Sequence, residues 1–263
     1  MFPLGEQPNI TKNLTEVTNE VRELAIDGKT KNLERLSNLK IEKLWIFSVN
    51  QKQFDEILTY VTPDILYIYE MRVADLSMLQ KLSNLKELYM CWNTKNTDLW
   101  DLSYNKNLTS LLIEEFSKLE DLTPIKDGIH LQSLYLSGGI VKALHVQTLK
   151  PLSNLVNLNK LTLMNIKVKD DSLEPLMNLK EIKELNLSNQ FPTEEYAKLS
   201  VVLSNTKCNF FKPYVYIESL EGKDIMVIGK KKPFLNSKTD IAKIQKYEEQ
   251  FKKIQEQFGN EMN

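Results

Sequence analysis

The chain has 263 residues, and its 34 Lys and Arg against 35 Asp and Glu leave a formal net charge of -1. Proteins that bind nucleic acid usually carry a surplus of cations for the phosphates, so this balance argues against nucleic acid as a partner. Only 3 of the 34 cations are arginine, the side chain best suited to phosphate. Gly and Pro are rare, with 8 and 9 residues, which excludes collagen-like and low-complexity sequence.

Leucine is the most informative residue type, because 37 of the 40 leucines lie before residue 201. Most of them belong to a repeated unit, L-x-x-L-x-L, whose last three positions have the alternation of a short strand. Successive units start 20 to 27 residues apart. The predicted strand cores are residues 24–26, 44–46, 66–68, 88–90, 111–113, 134–136, 161–163 and 185–187, with a degenerate ninth at residues 208–210.

One such unit cannot bury its leucines alone. Alternation along a strand puts both leucines on one face, and stacked units pool these faces into a continuous core. The unit resembles the leucine-rich repeat family, most closely the bacterial internalin-like class with units near 22 residues, over residues 21–211. The resemblance implies an α/β solenoid, an arc of about nine units with a parallel sheet on its concave side.

Two features indicate irregular returns on the convex side. The asparagine that ends the family pattern L-x-x-L-x-L-x-x-N occurs in register only at Asn93. Between the second and third strands, Phe54, Ile57, Leu58 and Val61 have the spacing of one face of a short helix. We therefore expect locally helical turns in an otherwise regular repeat.

Both ends of a solenoid need a cap over the core. We assign residues 1–20 to an N-terminal cap, residues 21–211 to the solenoid and residues 212–263 to a C-terminal cap. Within the last segment, residues 214–229 have the pattern of a β-hairpin around a Gly-containing loop, and residues 239–258 that of an amphipathic helix. We expect this helix to seal the last repeat; the alternative is a helix that binds a partner or a second copy of the chain.

The candidate binding site is the face of the sheet opposite the leucines, which we call the concave face. A ladder of aromatic residues there would stabilise the sheet without any further role. Seven aromatics, including two of the three tryptophans, would however expose a larger apolar patch than a monomer usually does, and such residues dominate binding at protein interfaces. The predicted partner-binding residues are Trp45, Phe47, Tyr67, Tyr69, Glu70, Tyr89, Trp92, Glu114, Glu115 and Tyr135.

The two cysteines, Cys91 and Cys208, are predicted to be unpaired. They lie on strands that are about 24 Å apart, at ~4.8 Å for each strand step, which is too far for a disulfide. We expect Cys91 to be an exposed thiol and Cys208 a buried one. Free thiols suit a reducing compartment, and the N-terminal residues lack the features of a secretory signal, so we expect a cytoplasmic protein without a membrane span.

The sequence contains no catalytic or metal-binding motif. His130 and His145 are the only histidines, and neither has a second ligand at metal-binding spacing. Phosphate-binding loops and nucleophile elbows are also missing. We therefore expect a non-enzymatic protein-binding module without metal or cofactor, and the three glutamates favour a basic partner.

A cytosolic inhibitor or antidote that blocks a toxin fits this interpretation. Two alternatives remain open. One is an exported, internalin-like surface adhesin, and the other is an enzyme with an unrecognised site.

Overall fold

A computed structural model describes residue 5 and residues 7–262. Its main sheet has the strand order β1-β2-β3-β4-β5-β6-β8-β10 and is parallel throughout. Two smaller sheets pair β7 with β9 and β11 with β12 and β13. The strands are β1 (Glu23–Asp27), β2 (Lys43–Asn50), β3 (Ile65–Arg72), β4 (Glu87–Asn93), β5 (Ser110–Phe116), β6 (Ser133–Ser137), β7 (Leu144–Val146), β8 (Lys160–Met164), β9 (Ile166–Val168), β10 (Glu184–Leu187), β11 (Tyr214–Leu220), β12 (Lys223–Val227) and β13 (Phe234–Leu235).

The register of the main sheet follows the leucine repeat. Leu44 pairs with Leu66, which pairs with Leu88, and equivalent leucines pair in the same way from β1 to β10. The core-facing side chains of these strands are buried, and Leu44 and Ile46 have no exposed surface. The predicted parallel sheet and leucine-rich repeat architecture are thus confirmed.

The ninth unit forms no strand in the described residues. It contributes a single parallel bridge, between Lys207 and Glu184 of β10. The chain then turns, with the Phe211 N–H donating to the Cys208 carbonyl. Pro213 follows and has no N–H with which to extend a sheet ladder, so the segment leads into the C-terminal cap instead.

The chain returns between strands mostly through short 3-10 helices. The α-helices α1 (Gln51–Thr59) and α2 (Thr193–Val202) are longer returns. In α1, Phe54, Ile57 and Leu58 are buried as their spacing predicted. The 3-10 helices of the solenoid are Leu33–Asn38, Ser77–Lys81, Leu102–Tyr104, Thr123–Asp127, Lys150–Asn154 and Glu174–Asn178.

The asparagine that is in register, Asn93, is fully buried. Its Nδ2 donates to the Val73 carbonyl at 2.8 Å, and its Oδ1 accepts from the Lys95 N–H at 3.1 Å. In the neighbouring units the same position holds Met71 and Phe116, each 1% exposed. Apolar packing therefore takes the place of asparagine hydrogen bonds in those units. The helical returns described above agree with the locally helical turns that we expected.

The described part of the N-terminal cap covers the first strand. Ile10 forms a parallel bridge with Ala25 of β1, and Leu14 is fully buried in the main core. Residues 1–4 and 6 of the expected cap, and Asn263 at the other end, lie outside the described residues.

The C-terminal cap combines the antiparallel sheet β11-β12-β13 with α3 (Ile241–Glu261). The hairpin was expected, whereas β13 was not. The helix spans Ile241–Glu261 instead of residues 239–258, so it both starts and ends later than expected. A turn precedes it, in which the Asn236 Oδ1 accepts from two backbone N–H groups. Phe251 of α3 is 2% exposed and belongs to the main core, so the helix seals the end of the solenoid.

Candidate functional site

The first set of aromatic side chains on the concave face, which we call the stacked row, consists of Trp45, Tyr67 and Tyr89. Their ring centroids are 5.0 and 4.6 Å apart, with interplanar angles of 11° and 15°. These distances match the ~4.8 Å spacing of neighbouring strands, so in-register aromatics stack face to face.

The stacked row is buried at its N-terminal end. Trp45 is 1% exposed and Tyr67 is 7% exposed, so the expectation that Trp45 faces solvent is wrong. Ala25 lies beside Trp45 on β1, Tyr67 covers its other face, and the Lys43 Nζ lies 4.9 Å from its ring centroid. Trp45 and Tyr67 thus stabilise the sheet as an aromatic ladder does.

Tyr89 at the other end of the stacked row is half-buried. Its hydroxyl donates to the Glu87 Oε2 at 2.6 Å. Burial, and then this bond to a carboxylate, raise the pKa of Tyr89, so the hydroxyl stays protonated and keeps the ring in place.

The second set, which we call the edge row, consists of Phe47, Tyr69 and Trp92. Phe47 and Tyr69 are 6.3 Å apart at 55°, and Tyr69 and Trp92 are 6.1 Å apart at 75°. Trp92 is 45% exposed, and the other two rings are half-buried. The edge row therefore presents the accessible aromatic surface of the concave face.

A backbone feature places side chains beside the edge row. One residue near the end of each strand from β2 to β5 has a left-handed backbone, with φ between 52° and 62°, and the residue after it turns back into the core. This conformation costs a residue other than Gly about 1–2 kcal/mol. It shifts the strand alternation by one position, so that two successive side chains stay outside the core. The left-handed residues are Ser48, Glu70, Trp92 and Glu115.

Carboxylates surround the edge row. Glu70 accepts a hydrogen bond from the Ser48 hydroxyl at 2.6 Å, Glu114 lies on β5 opposite Cys91, and Glu115 follows it. All three glutamates are half-buried. Burial, Cys91 and then these glutamates raise the pKa of Tyr69, which indicates a negative potential at the centre of the edge row.

Tyr135 lies on β6, next to the strands β2–β5 that hold the other nine predicted site residues. On the sheet, Leu112 of β5 stands between Tyr89 and Tyr135. Tyr135 instead faces Thr162 and lines a shallow concavity of about 490 Å³ with Asn186. The lining of this concavity mixes polar side chains with Met164 and Phe210, whereas the stacked row and the edge row lie on β2–β4.

The sequence analysis missed two parts of the site. Lys43 and Glu87 contact Trp45 and Tyr89 from the position before the first leucine. Strand alternation could have identified them, because residues two apart share a face. The other missed part is the turn at residues 138–143, which lines a cleft of about 390 Å³ beside Trp92.

The Cys91 thiol is buried instead of exposed, and the Cys208 thiol is half-buried instead of fully buried. Cys91 is 7% exposed, because it packs with Tyr67 while Tyr69 and Tyr89 border the same cluster. Cys208 is half-buried, because no strand follows it in the described part of the sheet. Both thiols are free.

A thiol reagent such as Ellman's should therefore modify Cys208 first. Burial, and then Glu114 and Glu115, raise the pKa of Cys91 to about 12. Burial also raises the pKa of Cys208, but that thiol is more accessible to solvent and has no carboxylates among the groups that raise its pKa. The thiolate is the reactive form, so we expect native Cys91 to react more slowly than Cys208. Cys208→Ser should leave only the slow phase. A fast phase in that variant would contradict the assigned burial.

The structure offers no grouped metal ligands and no spanning helix in its described residues. His130 and His145 are both exposed, and no three His, Cys, Asp or Glu side chains of the described chain are grouped as a metal ion would require. Across the same residues, no helix has both the length and the apolar composition to cross a bilayer.

Comparison with known proteins identifies the fold. No family model matches the sequence, and a search of curated proteins finds no match. Internalin C2 from Listeria monocytogenes is 21% identical, with a TM-score of 0.50 over 67% of this chain and 72% of that one. A leucine-rich repeat protein from Leptospira interrogans is 17% identical, with a TM-score of 0.48 over 76% and 69% of the two chains.

A second Listeria internalin is 16% identical, with a TM-score of 0.45 over 72% of this chain and 68% of that one. The overlap with internalin C2 agrees with the parallel sheet and the leucine register described above. The chain therefore has a leucine-rich repeat fold of the internalin type.

Proposed function

We propose that the concave face binds a protein partner through the edge row and the surrounding glutamates. The observation that carries the proposal is the exposed ring of Trp92, which contacts Tyr69 and is fixed by a left-handed backbone beside Glu70 and Glu115. A rigid aromatic centre with a charged rim is the usual composition of an interface hot spot. Residues 21–211 would form the binding unit, and residues 1–20 and 212–263 its caps.

The charges favour a basic protein over other ligands. Phosphate groups of a nucleic acid would be repelled by Glu70, Glu114 and Glu115, since binding to phosphate depends on cations. A basic protein would instead gain association rate and specificity from the same carboxylates. We include Tyr135 in the proposed contact area as an outlying position, because its ring lies on the same face.

The finer assignment is a non-enzymatic cytosolic inhibitor or antidote. Two free thiols stay reduced in the cytoplasm, which supports this location. The competing assignment is an exported adhesin, and the internalin-type fold is the observation that favours it. Fractionation of the native host with an antibody to the chain separates the two, because an adhesin would be found at the cell surface or in the medium.

The binding proposal can be tested before the natural partner is known. Random peptides displayed on phage are selected on the full chain, and the affinity of synthetic copies is measured by fluorescence anisotropy. Tyr69→Ala and Trp92→Ala should each weaken binding at least about tenfold, or ~1.4 kcal/mol. Salt should weaken binding to the wild type, because the carboxylates contribute to it.

Two exposed tyrosines outside the concave face serve as controls. Tyr104 lies in a 3-10 helix and is 57% exposed, and Tyr216 lies on β11 and is 70% exposed. Their alanine variants should bind as the wild type does. Loss of affinity in Tyr216→Ala, with Tyr69→Ala unaffected, would move the site to the C-terminal cap.

A further inference from the structure

The turn after β6 presents two aliphatic side chains to solvent. Ile140 and Val141 are 98% and 99% exposed, more than any other large hydrophobic side chain in the described chain. Single exposed apolar residues are common, but two adjacent ones at the tip of one turn form a concentrated apolar surface. We call residues 139–142 the apolar turn.

The apolar turn is held in place by hydrogen bonds. The Gly139 N–H donates to the Lys142 carbonyl at 2.8 Å, and the Asn165 Nδ2 donates to the Gly139 carbonyl at 2.6 Å. The Lys142 Nζ donates to the Ser117 carbonyl at 2.8 Å. None of these bonds uses the side chain at the tip, so the fold itself does not require Ile140 and its neighbour to be apolar.

The apolar turn and Trp92 of the edge row border the cleft of about 390 Å³. Trp92 and Glu115 line one side, and the turn lines the other. The Glu115 carboxyl group reaches the backbone of the turn, since a Cβ on Gly139 would lie 2.7 Å from its Cδ. Glycine at this position therefore allows the turn to approach the carboxylate, and the cleft combines an indole ring, a carboxylate and an apolar wall.

The carboxylate of the cleft has no cationic partner within the described part of the chain. Glu115 takes part in none of the salt bridges there. Lys142, the lysine that lines the cleft, directs its ammonium group to the Ser117 carbonyl. A purely apolar ligand would bury Glu115 without compensation, whereas a cation would pair with it. The indole face is the preferred aromatic partner of a cation.

We propose that the partner of the concave face inserts a lysine or arginine into this cleft, with the cation against Glu115 and Trp92 and with apolar neighbours covering Ile140 and Val141. This inference rests on the proposed function and adds the chemistry that the site selects. The partner segment is thus a short basic stretch flanked by aliphatic residues, and the apolar turn is its second contact.

The sequences and affinities of the selected peptides test whether a basic side chain enters the cleft. Peptides selected on the wild-type chain should be enriched in Lys or Arg next to aliphatic residues. In one such peptide, replacement of the lysine by norleucine should weaken binding to the wild type at least about fivefold and should have a clearly smaller effect on binding to Glu115→Gln, where only the contact of the cation with Trp92 remains. Ile140→Ser combined with Val141→Ser should weaken binding of the parent peptide at least about tenfold.

Binding of a peptide in the cleft can be measured by the fluorescence of Trp92. Trp45 and Trp100 are 1% and 3% exposed, so acrylamide should quench mainly the Trp92 emission. A bound peptide should protect that emission. Glu181→Gln and Val156→Ser are matched controls, because both residues are exposed and lie in turns away from the cleft, and neither variant should change affinity.

Three results would overturn the inference. The first is that the selected peptides contain no basic residues. The second is that the norleucine effect has the same size in Glu115→Gln as in the wild type. The third is that the free chain self-associates and the double serine variant abolishes that self-association. The last would assign the apolar turn to a contact between copies of the chain. If Tyr69→Ala weakens binding while the cleft variants do not, only this inference fails; if Tyr69→Ala has no effect, or no peptide is selected, the proposed function fails as well.

Discussion

Trp45→Ala should lower the free energy of unfolding by about 3–5 kcal/mol, the usual loss for truncating a buried tryptophan. Trp45 is on the concave face, but it is 1% exposed and stacks on Tyr67 at 5.0 Å. Its removal leaves a cavity between β1 and β3 and uncovers Tyr67. Urea denaturation, followed by circular dichroism, measures the loss.

Trp92→Ala is the matched comparison, because the same side chain is truncated where it is 45% exposed. We expect a loss below about 1 kcal/mol there. Trp45→Phe should stay close to the wild type, since the buried indole N–H of Trp45 has no hydrogen-bond partner among the described residues. Equal losses for Trp45→Ala and Trp92→Ala would show that the stacked row is not a buried ladder.

Asn105→Ala should cost about 2–4 kcal/mol, because this side chain joins three buried groups. Its Nδ2 donates to the Leu79 and Leu82 carbonyls at 2.9 and 3.0 Å, and its Oδ1 accepts from the Trp100 Nε1 at 2.7 Å. Both carbonyls keep a backbone bond in the variant, whereas the indole N–H keeps none. The unpaired indole nitrogen should therefore account for most of the loss.

Asn107→Ala is the control, since that exposed side chain makes one bond, to the Ser83 carbonyl, and should cost less than about 1 kcal/mol. A double-mutant cycle with Trp100→Phe isolates the indole contribution. Truncation of Asn105 should cost less in the Trp100→Phe background. Strict additivity would mean that the bond between the two side chains does not matter for stability.

The sheet could be predicted from the sequence because one physical rule determines it. Leucines two apart on a strand must share a buried face, and a constant repeat length brings equivalent leucines into register, as Leu44, Leu66 and Leu88 are. The same rule identifies the concave face and most of its aromatic residues. It also accounts for α1, whose apolar spacing is helical.

Burial on the concave face could not be predicted in the same way. Alternation assigns a side chain to a face, but the cover over that face comes largely from residues on other strands, as Ala25 and Tyr67 show for Trp45. For the same reason Cys91 is buried and Cys208 is only half-buried. The apolar turn has no periodicity at all, and its position beside Glu115 depends on the glycine backbone at residue 139.

The left-handed backbone positions have a consequence for how this chain can diverge. In the units outside β2–β5 the equivalent position holds Gly28, Gly138, Asn165 and Asn189, and of these only Asn165 is left-handed. Within β2–β5 it holds residues that incur a conformational penalty and lie in or beside the edge row. Substitution of these residues by glycine or asparagine would lower the conformational cost in these four units. It would also remove the side chains that give the concave face its specificity. Their persistence in related chains would therefore be a signature of selection for recognition rather than for stability.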